Sequence, residues 1–318
     1  MDNNETVTEF TKSDSITLTM QLNQDQAHLI REWSLSIPTL YMLDICVVSA
    51  TKLDNAQLET NPRKAKVINT LRELDRPQNS FSYLFSLMEK VSDSRGIDTE
   101  TELEAKILSD LGSLRSFFTN ARILESDEFI LEFLRNLRGY PIESKRSSYI
   151  DFLRALNDQF KLGNPISPKL RLDTAKQIIN LTKQFSFSKQ HPIVAIALAC
   201  LYGNPAAQRV MKFKDNPKKF DPENALADIM LISRFADIQL EIEQMGRMDE
   251  GPFLRSHFIT DDDGLIQILK CFTPTHVKHI DTPDGRETHT TMTVKLKDLL
   301  RDIQSEEYDH LLDFLNQN

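Results

Sequence analysis

The chain has 318 residues, with 38 Lys and Arg against 47 Asp and Glu, a formal net charge of −9. This acid excess argues against a protein that coats nucleic acid or lies on a membrane surface, although a local basic groove is compatible with it. Only 9 residues are glycine, the residue that tight turns and positive φ demand, so the chain should be mostly helical with few hairpins. The length suits one elaborated domain, or a domain carrying a large insertion.

The three cysteines, Cys46, Cys200 and Cys271, are far apart and form no CxxC pair. Neither a disulfide framework nor a thiolate zinc site is expected. Met1 to Asp14 is polar and acidic, without the basic and apolar regions of a secretory signal. The longest apolar run, Pro192 to Tyr202, is too short to span a bilayer. The expectation is a soluble cytoplasmic protein with no membrane partner.

Residues 1–37 read as an N-terminal tail, strand and helix. Ile16, Leu18, Met20 and Leu22 alternate with polar residues, a strand pattern, and Asp25 is placed to cap a helix running to Trp33. Leu40 to Val48 is apolar apart from Asp44, which predicts a buried parallel strand. Helices are expected over Pro62 to Leu74 and Ser80 to Val91. From residue 94 to 190 the pattern is helical throughout, near Thr101–Thr119, Asp127–Leu137, Ser147–Phe160 and Asp173–Phe187. Gly139-Tyr140-Pro141 and the Gly163 to Pro168 stretch punctuate these helices.

His191 to Tyr202 is apolar all round, which predicts a buried helix. Asp221 followed by Pro222 marks the start of another, which runs to about Met245. A short strand, His257 to Thr260, precedes Asp261-Asp262-Asp263-Gly264 and a helix from Leu265. The tail predicts a hairpin, His276 to Ile280 and Thr288 to Leu296 about a Pro283-Asp284-Gly285 turn, and a last helix from Glu306 to Leu315. The order is that of an α/β fold with a parallel central sheet. Such sheets place their ligands at the carboxyl ends of the strands.

Three acidic points stand out. Asp44 interrupts a buried strand, where a lone carboxylate is costly unless it is paired, metal-bound or capping a helix at the strand's end. Asp228 shares a helix face with Ala225, Leu231, Ile232 and Phe235, so it needs a basic partner or a cation. Asp261, Asp262 and Asp263 are adjacent after a strand. A solvated turn tolerates that, and a hard divalent cation such as Mg²⁺ removes the repulsion. Acids from such distant segments suit a site assembled by folding, where a carboxylate-held metal can act on a phosphodiester.

These residues resemble the PIN-like nuclease family. Leu43-Asp44-Ile45-Cys46-Val47-Val48 is similar to its opening strand with a terminal Asp. Asn224-Ala225-Leu226-Ala227-Asp228-Ile229 resembles the helix bearing its third acid. Phe258-Ile259-Thr260-Asp261-Asp262-Asp263-Gly264-Leu265 resembles its strand and Thr-x-Asp motif. The resemblance implies a three-layer α/β/α core with a parallel sheet and hydrolysis of phosphodiesters, most often RNA, with Mg²⁺ or Mn²⁺. It assigns Asp44, Asp228 and Asp262 to the site, with Asp261 or Asp263 as a helper ligand. The family's second acid is a Glu on a helix after the first strand. Glu89 is the best match, with Glu59 and Glu73 as competitors. Cys46 stands where the family usually has Asn or Ser. The core would comprise 38–93 and 191–318, with 94–190 as a helical insertion.

Other chemistries lack their residues. No GxxxxGK[ST], GxGxxG or GxSxG run occurs, and no Arg–His pair has the spacing of a HEPN-type RNase. His276 and His279 would fall on opposite faces of a strand. Between Met211 and Phe220 stand Lys212, Lys214, Lys218 and Lys219 with Phe213 and Phe220. Lysines there can neutralise phosphates. The phenylalanines serve either to stack a base or to anchor the loop. The reading is a metal-dependent nuclease acting on RNA or DNA, an endoribonuclease whose biology could be that of a toxin or antiviral effector. The rival reading is a non-catalytic module that binds a protein partner, or itself, through 94–190 on a degenerate PIN-like scaffold.

Overall fold

The structure is a computed structural model. It describes residues 7–9, 17–19, 23–92, 98–139, 143, 145–164, 166–282 and 285–316. Residues 1–38 and 39–318 form two compact units.

The first unit pairs β1 (Val7–Glu9) antiparallel with β2 (Thr17–Thr19). Helix α1 (Gln24–Leu35) follows. Its cap is Asn23 rather than the expected Asp25. The Asn23 side chain accepts the Gln26 amide at 2.8 Å, and the Gln26 side chain returns to the Asn23 amide. This reciprocal capping box satisfies two donors at once. Leu29, Ile30 and Trp33 of α1 are exposed.

The second unit opens with β3 (Thr39–Leu43), every residue of it buried, and then α2 (Ile45–Ala50). The strand expected to reach Val48 therefore ends at Leu43. The Asp44 carbonyl receives the Val47 and Val48 amides, so the chain turns into a helix there. An apolar run cannot distinguish these outcomes by periodicity. Next come α3 (Asn55–Glu59), α4 (Pro62–Leu74), β4 (Ser80–Ser82) and α5 (Leu84–Ser92). The helix expected from Ser80 thus starts with three residues of strand. Glu125 takes the Ser82 hydroxyl and the Tyr83 amide, and this long-range partner breaks the segment where its own pattern does not.

Helix α6 (Glu100–Phe117), β5 (Arg122–Ile123), α7 (Asp127–Gly139), α8 (Arg146–Phe160) and α9 (Pro168–Leu181) fill the expected helical block. Then follow α10 (Pro192–Leu201), α11 (Pro205–Met211), a 3₁₀ turn (Pro217–Lys219) and α12 (Pro222–Arg247), capped by Asp221 as its sequence predicts. The chain closes with β6 (Arg255–Ile259), α13 (Asp263–Leu269), β7 (Phe272–Thr282), β8 (Gly285–Val294), α14 (Leu296–Leu299) and α15 (Ser305–Asn316). The β7–β8 hairpin is longer than expected, and Pro283 and Asp284 of its expected turn lie outside the described residues. So do residues 93–97 and 140–142, at the start of the helical block and at its first expected break.

The central sheet has the order β5-β4-β3-β6, all parallel. Side chains alternate across it. Tyr41 and Leu43 pack with Ile68 of α4, Ile107 and Leu111 of α6, and Leu134 of α7. Leu40 and Met42 pack with Phe85, Phe253 and the Phe235, Ile238 and Ile242 side of α12. Helices therefore cover both faces. A separate core surrounds the wholly apolar α10 and draws in α8, α9, α11, α13 and the first half of α12. The block 94–190 is shared between these cores. Helices α6 and α7 belong to the sheet, where β5 is an edge strand, and α8 and α9 belong to the core around α10. Among the described residues no helix is long and apolar enough to cross a membrane.

Candidate functional site

In the sheet order the first strand, β3, lies beside the last, β6, with β4 and β5 on its other side. The chain thus winds outward in both directions from the β3–β6 boundary. That boundary is the topological switch point, where loops diverge and leave a crevice at the carboxyl ends. Asp44 follows β3 directly, and Thr260, Asp261 and Asp262 follow β6. The Asp44 amide donates to the Ile259 carbonyl at 3.0 Å, which holds the two loops in register.

Asp44 caps α2 and accepts the Cys46 amide at 3.4 Å. The Thr260 hydroxyl donates to its other oxygen. Thr260 is buried and also accepts the Asp262 amide at 3.0 Å, so one hydroxyl ties both acids together. Asp262 caps α13, taking the Gly264 and Leu265 amides at 2.7 and 3.0 Å. Glu89 reaches the same place from α5. Burial raises its carboxyl to about 8, helped by the adjacent Asp44, a shared hydrogen bond with it, and Asp228. Asp228 comes from the second turn of α12. Burial pushes it up to about 6 against the pull of Lys212, with Asp262 and Asp44 adding repulsion.

Asp44, Glu89, Asp228 and Asp262 are therefore brought together, from two strand ends and two helices. Glu59 and Glu73, the competitors of Glu89, are exposed on α3 and α4. Asp261 and Asp263 stand apart from the four. Asp261 pairs with Lys64 at 2.5 Å and with Arg63 at 3.3 Å. Burial raises its carboxyl, but hydrogen bonds from Lys64 and Cys46 and these charges win and hold it below the usual carboxylate range. Asp263 is exposed in the first turn of α13.

The lysine segment separates in the same way. Lys212 does not join an exposed basic strip. Its ammonium pairs with Asp228 at 2.6 Å and donates to Asn224 at 3.0 Å. Lys214, Lys218 and Lys219 are exposed. Phe220 is buried and Phe213 packs on it with ring centres 5.5 Å apart, so both anchor the loop and neither is free to stack a base.

Residue reading missed Lys64 and Arg63, and the tie made by Thr260. A Lys or Arg on an amphipathic helix carries no mark of which acid it meets. Lys64 also donates to the Cys46 carbonyl at 2.9 Å, closing the rim of the site. Burial, then Asp44, drives the Cys46 thiol far above its ordinary value, so it stays protonated and is no nucleophile. Its sulfur lies 3.6 Å from the Thr260 hydroxyl.

The four acids carry only oxygen donors, the ligand type that hard divalent cations prefer. The raised carboxyls of Glu89 and Asp228 mark burial and mutual acid repulsion, which the Lys212 ammonium offsets in part at Asp228. Among the described residues, no three His, Cys, Asp or Glu side chains stand in a ready ligating cluster. No family model matches the chain, and neither a curated protein nor a solved structure matches it. What the fold and crevice define is a mixed α/β protein with an acidic site at the switch point of a parallel sheet.

Proposed function

We propose that the chain is a Mg²⁺- or Mn²⁺-dependent phosphodiester hydrolase of PIN-like type, acting on RNA as an endonuclease. The observation that carries this reading is the convergence of Asp44, Glu89, Asp228 and Asp262 at the switch point, with the Glu89 and Asp228 carboxyls raised by burial and by neighbouring acids. Buried like charges are costly and are kept where function needs them. The donor chemistry fits a hard cation, and Asp44, Glu89, Asp228 and Asp262 would hold it. Bound there, the cation supplies the Lewis acid that phosphodiester hydrolysis uses.

The chain's own groups do the rest. Thr260 orients Asp44 and Asp262 through its single hydroxyl. Glu89, protonated near neutral pH in the metal-free state, gives up its proton on cation binding, so that binding weakens as pH falls. Lys212, Lys64 and Arg63 ring the acids and would offer charge to a backbone phosphate, and the exposed Lys214, Lys218 and Lys219 would add to it farther out. The Cys46 thiol stays neutral, and no covalent nucleophile is needed, because water can attack phosphorus in line.

Incubation of the wild type and Asp228→Asn with RNA and DNA, in Mn²⁺ or EDTA, tests this. RNA cleavage should require Mn²⁺ and fall roughly a hundredfold or more in the variant. Cleavage in EDTA, or full activity of Asp228→Asn, overturns it.

One observation favours the non-catalytic alternative. Asp228 is already ion-paired with Lys212, Asp261 with Lys64, and Asp44 and Asp262 cap helices. Each acid thus has a structural use. In that case Mn²⁺ neither binds nor stabilises the chain, and the surface of 94–190 carries the partner.

A further inference from the structure

Helix α12 has a second polar face. Nine residues beyond Asp228, about two and a half helical turns, Asp237 points the opposite way. It lines a cavity of 750 Å³, which lies within the size range of small-ligand sites. Ser233 stands one turn before Asp237 on the same face and lines the same space. Tyr149, His191, Phe272 and Met292 form aromatic and apolar walls.

Asp237 has no compensation. One carboxylate oxygen is sealed from solvent and has no hydrogen-bond partner among the described residues. Burial, reinforced by Glu241, raises its carboxyl to about 6, which still leaves it ionised at neutral pH. Lys145, which faces His191, donates to the Ser186 carbonyl at 2.8 Å. Arg234, three residues before Asp237, pairs with Glu143 through its terminal nitrogen, while its buried Nε has no partner among the described residues. His191 cannot substitute for them. Its Nδ1 accepts the Ile193 amide at 3.2 Å, and burial, then Lys145, lowers it to about 4, so it is neutral. Its ring lies 4.6 Å from that of Tyr149. An unpaired buried acceptor in a native fold calls for an explanation. The acidic cluster does not supply one, because it lies on the other side of the helix.

We propose that this cavity binds a small organic cation, an amidinium, guanidinium or ammonium on a compact flat body. The cation would pair with Asp237 and Ser233, and the body would lie against Tyr149 and Phe272. A charged N–H donor completes the carboxylate, and an aromatic wall favours a cation over its neutral counterpart. The site is independent of the nuclease reading.

The test is calorimetric titration of the full chain with benzamidine, and with benzamide as a neutral counterpart of similar shape. Wild type should bind benzamidine saturably and benzamide about tenfold more weakly. Asp237→Asn should lose about tenfold in benzamidine affinity, while Asp228→Asn keeps it. No saturable benzamidine binding, equal affinity for the two probes, or loss in Asp228→Asn instead of Asp237→Asn overturns the proposal. The two-probe comparison on wild type decides the matter even if Asp237→Asn fails to fold.

Discussion

Two buried aspartates of this chain have opposite surroundings. Burial alone would raise Asp110, yet hydrogen bonds from Lys52, Lys90 and Tyr83 hold its carboxyl below the ordinary value. That is a structural acid, fully compensated. Asp228 has one ammonium, from Lys212, and stays raised because burial outweighs that charge and Asp262 and Asp44 add repulsion. Lys212→Met should therefore destabilise the metal-free protein by about 1–3 kcal/mol in urea titrations with EDTA, because a half-buried charge loses its partner. On the nuclease reading the same variant should bind Mn²⁺ more tightly, since the ammonium no longer competes for Asp228. Unchanged stability in EDTA would show that the pair contributes nothing.

Glu89 makes a second prediction at this scale. Its carboxyl lies at about 8 in the fold against its ordinary value of 4.5. Between those values the folded chain holds a proton that the unfolded chain has released. Its contribution to stability is complete below about 4.5 and is lost as pH rises through about 8. Asp228 acts in the same direction over its own lower window, from 3.8 to about 6. Melting in EDTA at about pH 5 and about pH 9 should show wild type losing more stability than Glu89→Gln. An equal or larger loss in Glu89→Gln counts against the assignment.

Among the elements, the acids also serve as caps. Asp262 holds the first turn of α13 through two amides. In EDTA, where only the cap is at stake, Asp262→Ala should cost about 1 kcal/mol, and Asp262→Asn, which still accepts those amides, should cost far less. A comparison of both variants by urea denaturation separates the cap from the charge. Scarce glycine also finds a use here. A methyl group on Gly246, at the end of α12, would lie 1.8 Å from the Phe253 carbonyl oxygen. The helix could not then pass so close to the segment leading into β6. Gly246→Ala should destabilise the protein by about 1–3 kcal/mol or more, read from the shift of the denaturation midpoint.

Elements were legible in proportion to their length and self-sufficiency. Helix α4 and the Asp221-Pro222 start of α12 lie where their caps and prolines predict. Strands β4 and β5 left no usable pattern. They have three and two residues, and β4 ends where Glu125 binds it from across the chain. The continuation of β3 into α2 was equally hidden, because valine suits both a buried strand and a buried helix turn.

For the whole molecule, the acidic site exists only when β3, β6, α5 and α12 are in place together. A ligand that bridges them should stabilise the entire second unit by mass action. Saturating Mn²⁺, at about a hundred times its dissociation constant, should add about 2.7 kcal/mol to wild type and much less to Asp228→Asn. Chemical denaturation with and without the metal measures this, and an equal gain in both proteins would place the cation elsewhere. The net charge of −9 thus has a local component, the acids Asp44, Asp228 and Asp262 gathered at one crevice with a protonated Glu89, beside a rim of Lys64, Arg63 and Lys212 that global charge does not reveal.

By itself, the sequence determined the helical bulk of the chain, its buried apolar helix, and which acids were anomalous, namely Asp44, Asp228 and the run Asp261 to Asp263, whereas Glu89 was singled out only by the family resemblance. Periodicity, caps and misplaced charge are local properties, and they can be read along a chain. Only the tertiary structure decided the order of the sheet, the pairing of Lys212 with Asp228, the diversion of Asp261 to Lys64 and Arg63, and the unpaired carboxylate of Asp237. Each of these depends on a partner distant in sequence, and burial and charge act through space.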